Sequence, residues 1–254
     1  MGIGYVLGCL VSILLWKIDR QQIFKKINDK LIKIFREKIV VEVIYLSFII
    51  ALFFVYYYLG SNEYMNFITA FLVINISYSE RYNLNLTDKI QFYKSLSLLT
   101  KGILCGFIAP LFYIMVFRNN YYGIIYFMIY QLYEVGDYVI IDFLFRITTI
   151  IPSLILQGIY YIIYIFKNRT FKIDFKEDYL SNVIKRPVLN PDIMAAYIEN
   201  INFYYYFQSK NASYIKSYGN FNSKIDKECI KDYLNIVYGV AFLFFIVFLI
   251  IRIL

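Results

Sequence analysis

Between Ile39 and Gly60 the chain runs for 22 residues with one charge, Glu42. A hydrocarbon layer about 30 Å thick is crossed by around 20 apolar residues of helix, so a run of this kind constrains the fold more than any other feature. Similar runs recur at Leu96–Phe117, across Tyr121–Phe166 and at Ile236–Ile251. Composition agrees: 60% of the 254 residues are hydrophobic and 17% charged, where soluble domains average roughly 45–50% and about 25%. The expected fold class is therefore all-α, a polytopic membrane helix bundle of six to seven spans. It is read as one membrane domain over residues 1–254, multi-pass in the cell membrane.

The first apolar stretch, Gly2 to Trp16, is short, has no basic segment before it and no small-residue cleavage site after it, and reads as a retained first span. Gly4 and Gly8 stand at GxxxG spacing, which suits close helix packing and also arises by chance in membrane segments. Residues 17–38 carry eight Lys/Arg against Asp19, Asp29 and Glu37. Phe24, Ile27, Leu31, Ile34 and Phe35 recur there at helical spacing, which predicts a cationic amphipathic helix on the membrane surface. By the positive-inside rule this helix is cytoplasmic and the N-terminus is outside. Anionic lipids are the expected partner of the +8 net charge, with no nucleic acid, because the basic residues gather beside apolar runs.

Tyr64–Tyr78 reads as a return span and Ser79–Gln91 as a polar connection. Leu96–Phe117 is interrupted by Lys101, Gly102, Gly106 and Pro110. Gly102 and Gly106 are expected to pack a neighbouring helix closely, forming with Pro110 a groove for a ligand. Tyr121–Phe166 is too long for one span. Glu134, Gly136 and Asp137 break it once, and Asp142, Arg146 and Pro152 disturb it again, so it holds either two spans or a re-entrant pair and one span. Asp142 and Arg146, four apart, share a helix face. Their pairing has two readings, functional and structural. Residues 167–235 form the one long polar segment, with eleven Lys/Arg and eight Asp/Glu. Its apolar patches at Ile193–Tyr197 and Ile201–Phe207 predict short helices, a helical extramembrane insertion. Trp16 and the cluster Phe203 to Phe207 are expected to anchor at the interface.

The chain has no histidine, which excludes imidazole general acid–base catalysis and His-based triads or zinc sites. Cys9, Cys105 and Cys229 make neither a disulfide framework nor a CxxC site. No metal and no cofactor is expected.

Three blocks in order resemble the CobD/CbiB family of cobalamin biosynthesis, the membrane adenosylcobinamide-phosphate synthases, to which AmpE-type proteins are related. Gly106-Phe-Ile-Ala-Pro-Leu-Phe112 is similar to the family's Gly-Val-Val-Ala-Pro-Leu-Phe. Phe145-Arg-Ile-Thr-Thr-Ile-Ile-Pro152-Ser-Leu resembles a charged helix running into Trp-Ile-Pro-Ala-Arg-Leu. Arg186-Pro-Val-Leu-Asn-Pro191-Asp192-Ile-Met-Ala-Ala196 resembles Ser-Pro-Asn-Ala-Gly-Trp-Pro-Glu-Ala-Ala-Met-Ala. The resemblance implies a membrane fold and ATP-dependent condensation of a carboxylate with an amino-alcohol phosphate, with acidic residues holding Mg²⁺.

This chain departs from the family where that chemistry sits. Lys101, Gly102 and Cys105 replace Glu-Asn and Asp; Tyr130 to Glu134 replaces Asn-Thr-Leu-Asp-Ser; Phe145 and Arg146 replace paired aspartates; Thr149 replaces asparagine. Asp192 alone keeps a carboxylate, in place of glutamate.

The reading these features favour is a non-catalytic, degenerate CobD/CbiB-like protein acting as an accessory, sensor or partner-binding subunit, with a protein partner or a second copy of itself. A divergent synthase would require Glu134, Asp137, Asp142 and Asp192 to converge on one metal. A transporter or channel component would use Lys101, Asp142 and Arg146 beside the helix breaks. No catalytic residue is assigned.

Overall fold

A computed structural model describes residues 2–15, 20–60, 62–74, 89–208, 213–219 and 227–253. Trp16 and most of the Ser79–Gln91 connection lie outside the described residues. The elements are α1 (Ile3–Leu14), α2 (Arg20–Phe35), α3 (Lys38–Leu59), α4 (Glu63–Val73), α5 (Lys89–Ile103), a π-helical turn (Leu104–Ile108), α6 (Ala109–Phe117), α7 (Asn120–Val135) and α8 (Val139–Asn168). They continue with α9 (Tyr179–Lys185), α10 (Leu189–Ile198), β1 (Asn202–Gln208), β2 (Ser213–Gly219) and α11 (Lys227–Ile253).

Among the described residues four helices are long and apolar enough to cross a membrane: Lys38–Leu59, Leu96–Phe117, Val139–Asn168 and Lys231–Arg252. α1, α4 and α7 have 12, 11 and 16 residues, about 17–24 Å at 1.5 Å per residue. That is shorter than the hydrocarbon layer, so length and composition support four spans where six or seven were expected.

The chain divides into two compact units. The first comprises 1–77, 105–149 and 243–254, the second 78–104 and 150–242. In the first, α1 lies against α4 through the two glycines. A Cβ on Gly4 would sit 2.3 Å from the Glu63 carbonyl oxygen, and one on Gly8 2.4 Å from that of Phe67. No side chain fits there, so the GxxxG spacing marks genuine backbone-to-backbone packing. The core beside it is polar at its centre. The Tyr5 hydroxyl donates to Asn120 Oδ1 (2.5 Å) and accepts from Arg252 (2.8 Å), and Asn120 donates to Asn66 (2.7 Å). Arg20, expected on the basic surface, is buried instead: its guanidinium donates to the Ile74 carbonyl (2.8 Å) and Ser12 Oγ (2.9 Å). A cation there satisfies carbonyls left open at the end of α4, where the helix dipole favours positive charge.

Glu42, the only charge in the clearest span, is also accounted for. The residue is 5% exposed, and its carboxylate accepts from the backbone N–H groups of Ile140 (2.7 Å) and Ile141 (3.0 Å). One helix thus supplies the N-terminal cap of another, pairing two otherwise unsatisfied donors with a negative charge.

The Tyr121–Phe166 stretch forms two helices separated at Gly136–Tyr138, where Gly136 and Asp137 were expected to break it. The second expected interruption is absent, since α8 runs unbroken for 30 residues through Pro152. A proline at 152 cannot donate to the carbonyl of residue 148. That carbonyl accepts instead from the Tyr113 hydroxyl at 2.6 Å, which is how membrane helices carry proline without unwinding. Tyr113→Phe is expected to cost about 1–3 kcal/mol by stranding this carbonyl. Thermal unfolding of the purified protein in detergent, compared with Tyr122→Phe on the exposed side of α7, measures it.

In the second unit α10 is buried along its whole length and packs against α5 and both strands. β1 and β2 pair antiparallel from Asn202↔Gly219 to Gln208↔Ser213. This corrects the expectation of a wholly helical insertion: Ile193–Tyr197 is helix, whereas Ile201–Phe207 runs into a strand. The run of Phe and Tyr favours strand, and Phe203 is buried while Tyr204 is exposed, the two-residue alternation of a half-covered sheet.

Candidate functional site

Within the second unit the helices converge on one buried acid. Asp192 stands in the first turn of α10 and is 2% exposed. Pro191 just before it suits an opening helical turn, where a missing N–H costs nothing. Its Oδ2 accepts from Ser97 Oγ at 2.8 Å, and the Thr100 hydroxyl is a further hydrogen-bond partner. Its Oδ1 is buried with no partner among the described residues. Burial pushes the Asp192 carboxyl up to about 7, against the pull of Ser97, Thr100 and the Lys101 ammonium. Desolvation outweighs these three because an anion loses its water on every side.

Ser97, Thr100 and Lys101 come from one face of α5, at i, i+3 and i+4. Thr100 Oγ1 lies 2.6 Å from the Tyr233 hydroxyl, which lies 2.9 Å from that of Tyr160. Both tyrosines are fully buried. Beside this chain Gln157 donates to Ser153 Oγ (3.0 Å) and accepts from the Tyr179 hydroxyl (2.7 Å) and from Asn190 Nδ2 (3.4 Å). Ser153, Gln157 and Tyr160 occupy one face of α8, spaced i, i+4, i+7. Such a network exchanges hydrogen bonds with a neutral carboxylic acid. It also presents one free carboxyl oxygen to a donor.

α10 reaches a second feature at its other end. Tyr197 lines an open cavity of about 450 Å³ with Phe175, Lys176 and Lys216. Phe175 stacks on Tyr179 (4.1 Å between centroids), and the Tyr197 hydroxyl donates to the Asp174 carbonyl at 2.6 Å. Lys216 pairs with Asp178 at 2.7 Å. Partial burial raises the Asp178 carboxyl, but its hydrogen bonds from Lys216 and Tyr218 outweigh this and hold it below the ordinary range. Glu199, at the end of α10, is raised by burial against the opposing pull of Lys167, which contacts both its oxygens at 2.8 Å.

The other acids singled out in the sequence have local partners. Asp142 and Arg146 form an i,i+4 pair at 2.6 Å with both side chains partly exposed, and Asp137 meets Lys38 at 3.6 Å with its own side chain fully exposed. Glu134 is half-buried near the end of α7. These lie in the first unit, Lys101 and Asp192 in the second. Among the described residues no three His, Cys, Asp or Glu side chains come together as a metal site requires. Gly102 is half-buried. Gly106 is buried in the π turn, an irregularity often found at functional positions. Pro110 is buried in the first turn of α6, and its carbonyl lies against Gly123, where a Cβ would come within 2.6 Å of the Ile114 side chain.

Protein-family models, curated proteins and solved structures contain no match to this chain.

The hydroxyl and amide groups around Asp192 escaped the sequence reading. Ser97, Thr100, Ser153, Gln157 and Tyr160 carry no charge and sit inside apolar runs, and Tyr233 lies at the end of the polar segment. Their helical spacing was the available signal.

Proposed function

We propose that the chain works as a membrane-embedded accessory or sensor subunit, a degenerate relative of the CobD/CbiB synthases that binds a partner or ligand and performs no condensation. The observation that carries this is that Asp192 belongs to no group of three or more acidic, Cys or His side chains among the described residues. A hard divalent cation asks for several oxygen ligands, usually more than one carboxylate, and the groups beside Asp192 are the hydroxyls of Ser97 and Thr100 and the Lys101 ammonium. Among the described residues no three such side chains come together, so nothing there supplies the metal cluster that the divergent-synthase reading needs.

Six or seven spans in this reading require α1, α4 and α7 to enter the membrane as short segments beside the four long helices. The protein partner or second copy expected from the sequence belongs to the same proposal, as does residence in the cell membrane.

The test is direct. Purified protein is titrated with ATP–Mg²⁺ by calorimetry and incubated with cobyric acid and an amino-alcohol phosphate under ATP. Neither binding heat nor condensed product is expected. Product formed at a rate that falls in Asp192→Asn would overturn the proposal and restore the synthase reading.

A further inference from the structure

The rotation of α2 about its own axis is fixed by its inner face. Arg20 donates to the carbonyls of Leu72 and Ile74, Phe24 meets Phe127 edge-on at 6.0 Å, and Asn28 accepts from the hydroxyls of Tyr45 and Tyr138. Phe24 and Leu31, expected in the helix's outward stripe, therefore belong to its inner side. The exposed apolar row on the flank of that face is Ile23, Ile27 and Ile34, which are 51%, 46% and 69% exposed.

At 3.6 residues per turn, Lys26, Lys30 and Lys33 fall beside those isoleucines, and all six side chains share a sector of about 120°. The sector contains no Asp or Glu, and all three lysines are exposed. Lys25 lies outside it, on the flank that also holds Asp29. Three exposed isoleucines edged by three lysines make the surface of a helix lying in a headgroup layer. The isoleucines enter the acyl boundary and the ammonium groups meet negative charge. Two residues after α2 the chain enters α3, a helix able to cross the membrane. The exposed row is thereby tethered next to a bilayer.

We propose that the Ile23–Ile27–Ile34 row of α2, with Lys26, Lys30 and Lys33, is a docking surface for the anionic lipid bilayer. This inference is independent of the accessory-subunit reading, because it concerns only which face of one helix meets which surface. Each lysine near an anionic leaflet adds attraction that salt screens, whereas Lys25 adds none of comparable size.

The experiment places one tryptophan in the row, Ile27→Trp on a Trp16→Phe background, in the full chain reconstituted into nanodiscs. The discs contain phosphatidylcholine alone or with phosphatidylglycerol at three to one, and the acyl chains are brominated near the headgroup. Quenching at least twofold stronger in the anionic discs is expected, falling by half or more with Lys30→Glu and unchanged with Lys25→Glu. Reversing the same charge on two flanks separates lipid docking from a general loss of positive charge. An unquenched tryptophan in both discs, as an acidic protein surface or a second copy on this face would give, overturns the proposal. Equal quenching in both discs with no response to Lys30→Glu overturns it as well.

Discussion

Gly8→Leu is expected to separate α1 from α4 and lower the thermal midpoint in detergent by about 6–12 °C. The Cβ alone would lie 2.4 Å from the Phe67 carbonyl oxygen, 2.8 Å from Ala70 Cβ and 3.0 Å from the Phe71 nitrogen. Two of those atoms are backbone and cannot rotate away. Overpacking a well-fitted contact costs typically about 1–3 kcal/mol, and the upper end applies where backbone must shift. Near 250 residues each kcal/mol moves the midpoint by about 2–4 °C. Gly158→Leu is the matched control. A Cβ there meets nothing within 4 Å, and replacing a helical glycine removes a propensity penalty of about 1 kcal/mol. A Gly8→Leu protein that melts with the Gly158→Leu control would sink the claim that α1 and α4 touch through their backbones.

Asp192→Asn is expected to stabilise the protein at pH 8 and leave it unchanged at pH 4. The carboxyl is held up to about 7 in the folded protein against an ordinary 3.8. The folded state therefore keeps a proton that the unfolded chain releases once pH passes about 4. Stability from this group is complete below the unfolded value, declines as pH rises from about 4 to about 7, and is level above. Asparagine has no proton to lose and keeps an acceptor for Ser97. A shift near three pH units corresponds to roughly 4 kcal/mol at most, which is about 8–16 °C in the midpoint at pH 8. Melting curves of both proteins from pH 4 to pH 8 should converge at the acid end and part at the alkaline end. Parallel curves would show that Asp192 ionises in the folded protein as it does in water.

The long elements were legible because hydrophobic length is a strong and simple signal. Lys38–Leu59 and Lys231–Arg252 appear where apolar runs demanded them, and the break at Gly136 falls where glycine and two acids interrupt an apolar stretch. Pro152 misled because the compensating hydroxyl comes from Tyr113, 39 residues earlier and on another helix. The run from Ile201 to Phe207 is as apolar as a short helix would be, but its aromatic residues favour strand. Arg20 stands among surface lysines in the sequence, and only a tertiary contact distinguishes its buried guanidinium from a solvated one. The candidate site was half legible: Asp192 stood out as the acid its resemblance block retained. Its cage did not, because serine, threonine and tyrosine inside apolar runs look like filler until helices bring them together.

Glu42 caps an amide 98 residues further along the chain. Because synthesis proceeds from the N-terminus, this carboxylate exists well before the helix end that will neutralise it. The span that carries it thus begins life with an unmatched negative charge near one end, one that must stay in water or among headgroups until α8 arrives. Assembly has an order built into it: α3 waits, and the docking of α8 relieves the charge. A chain halted before Val139 would keep that carboxylate without its two amide partners.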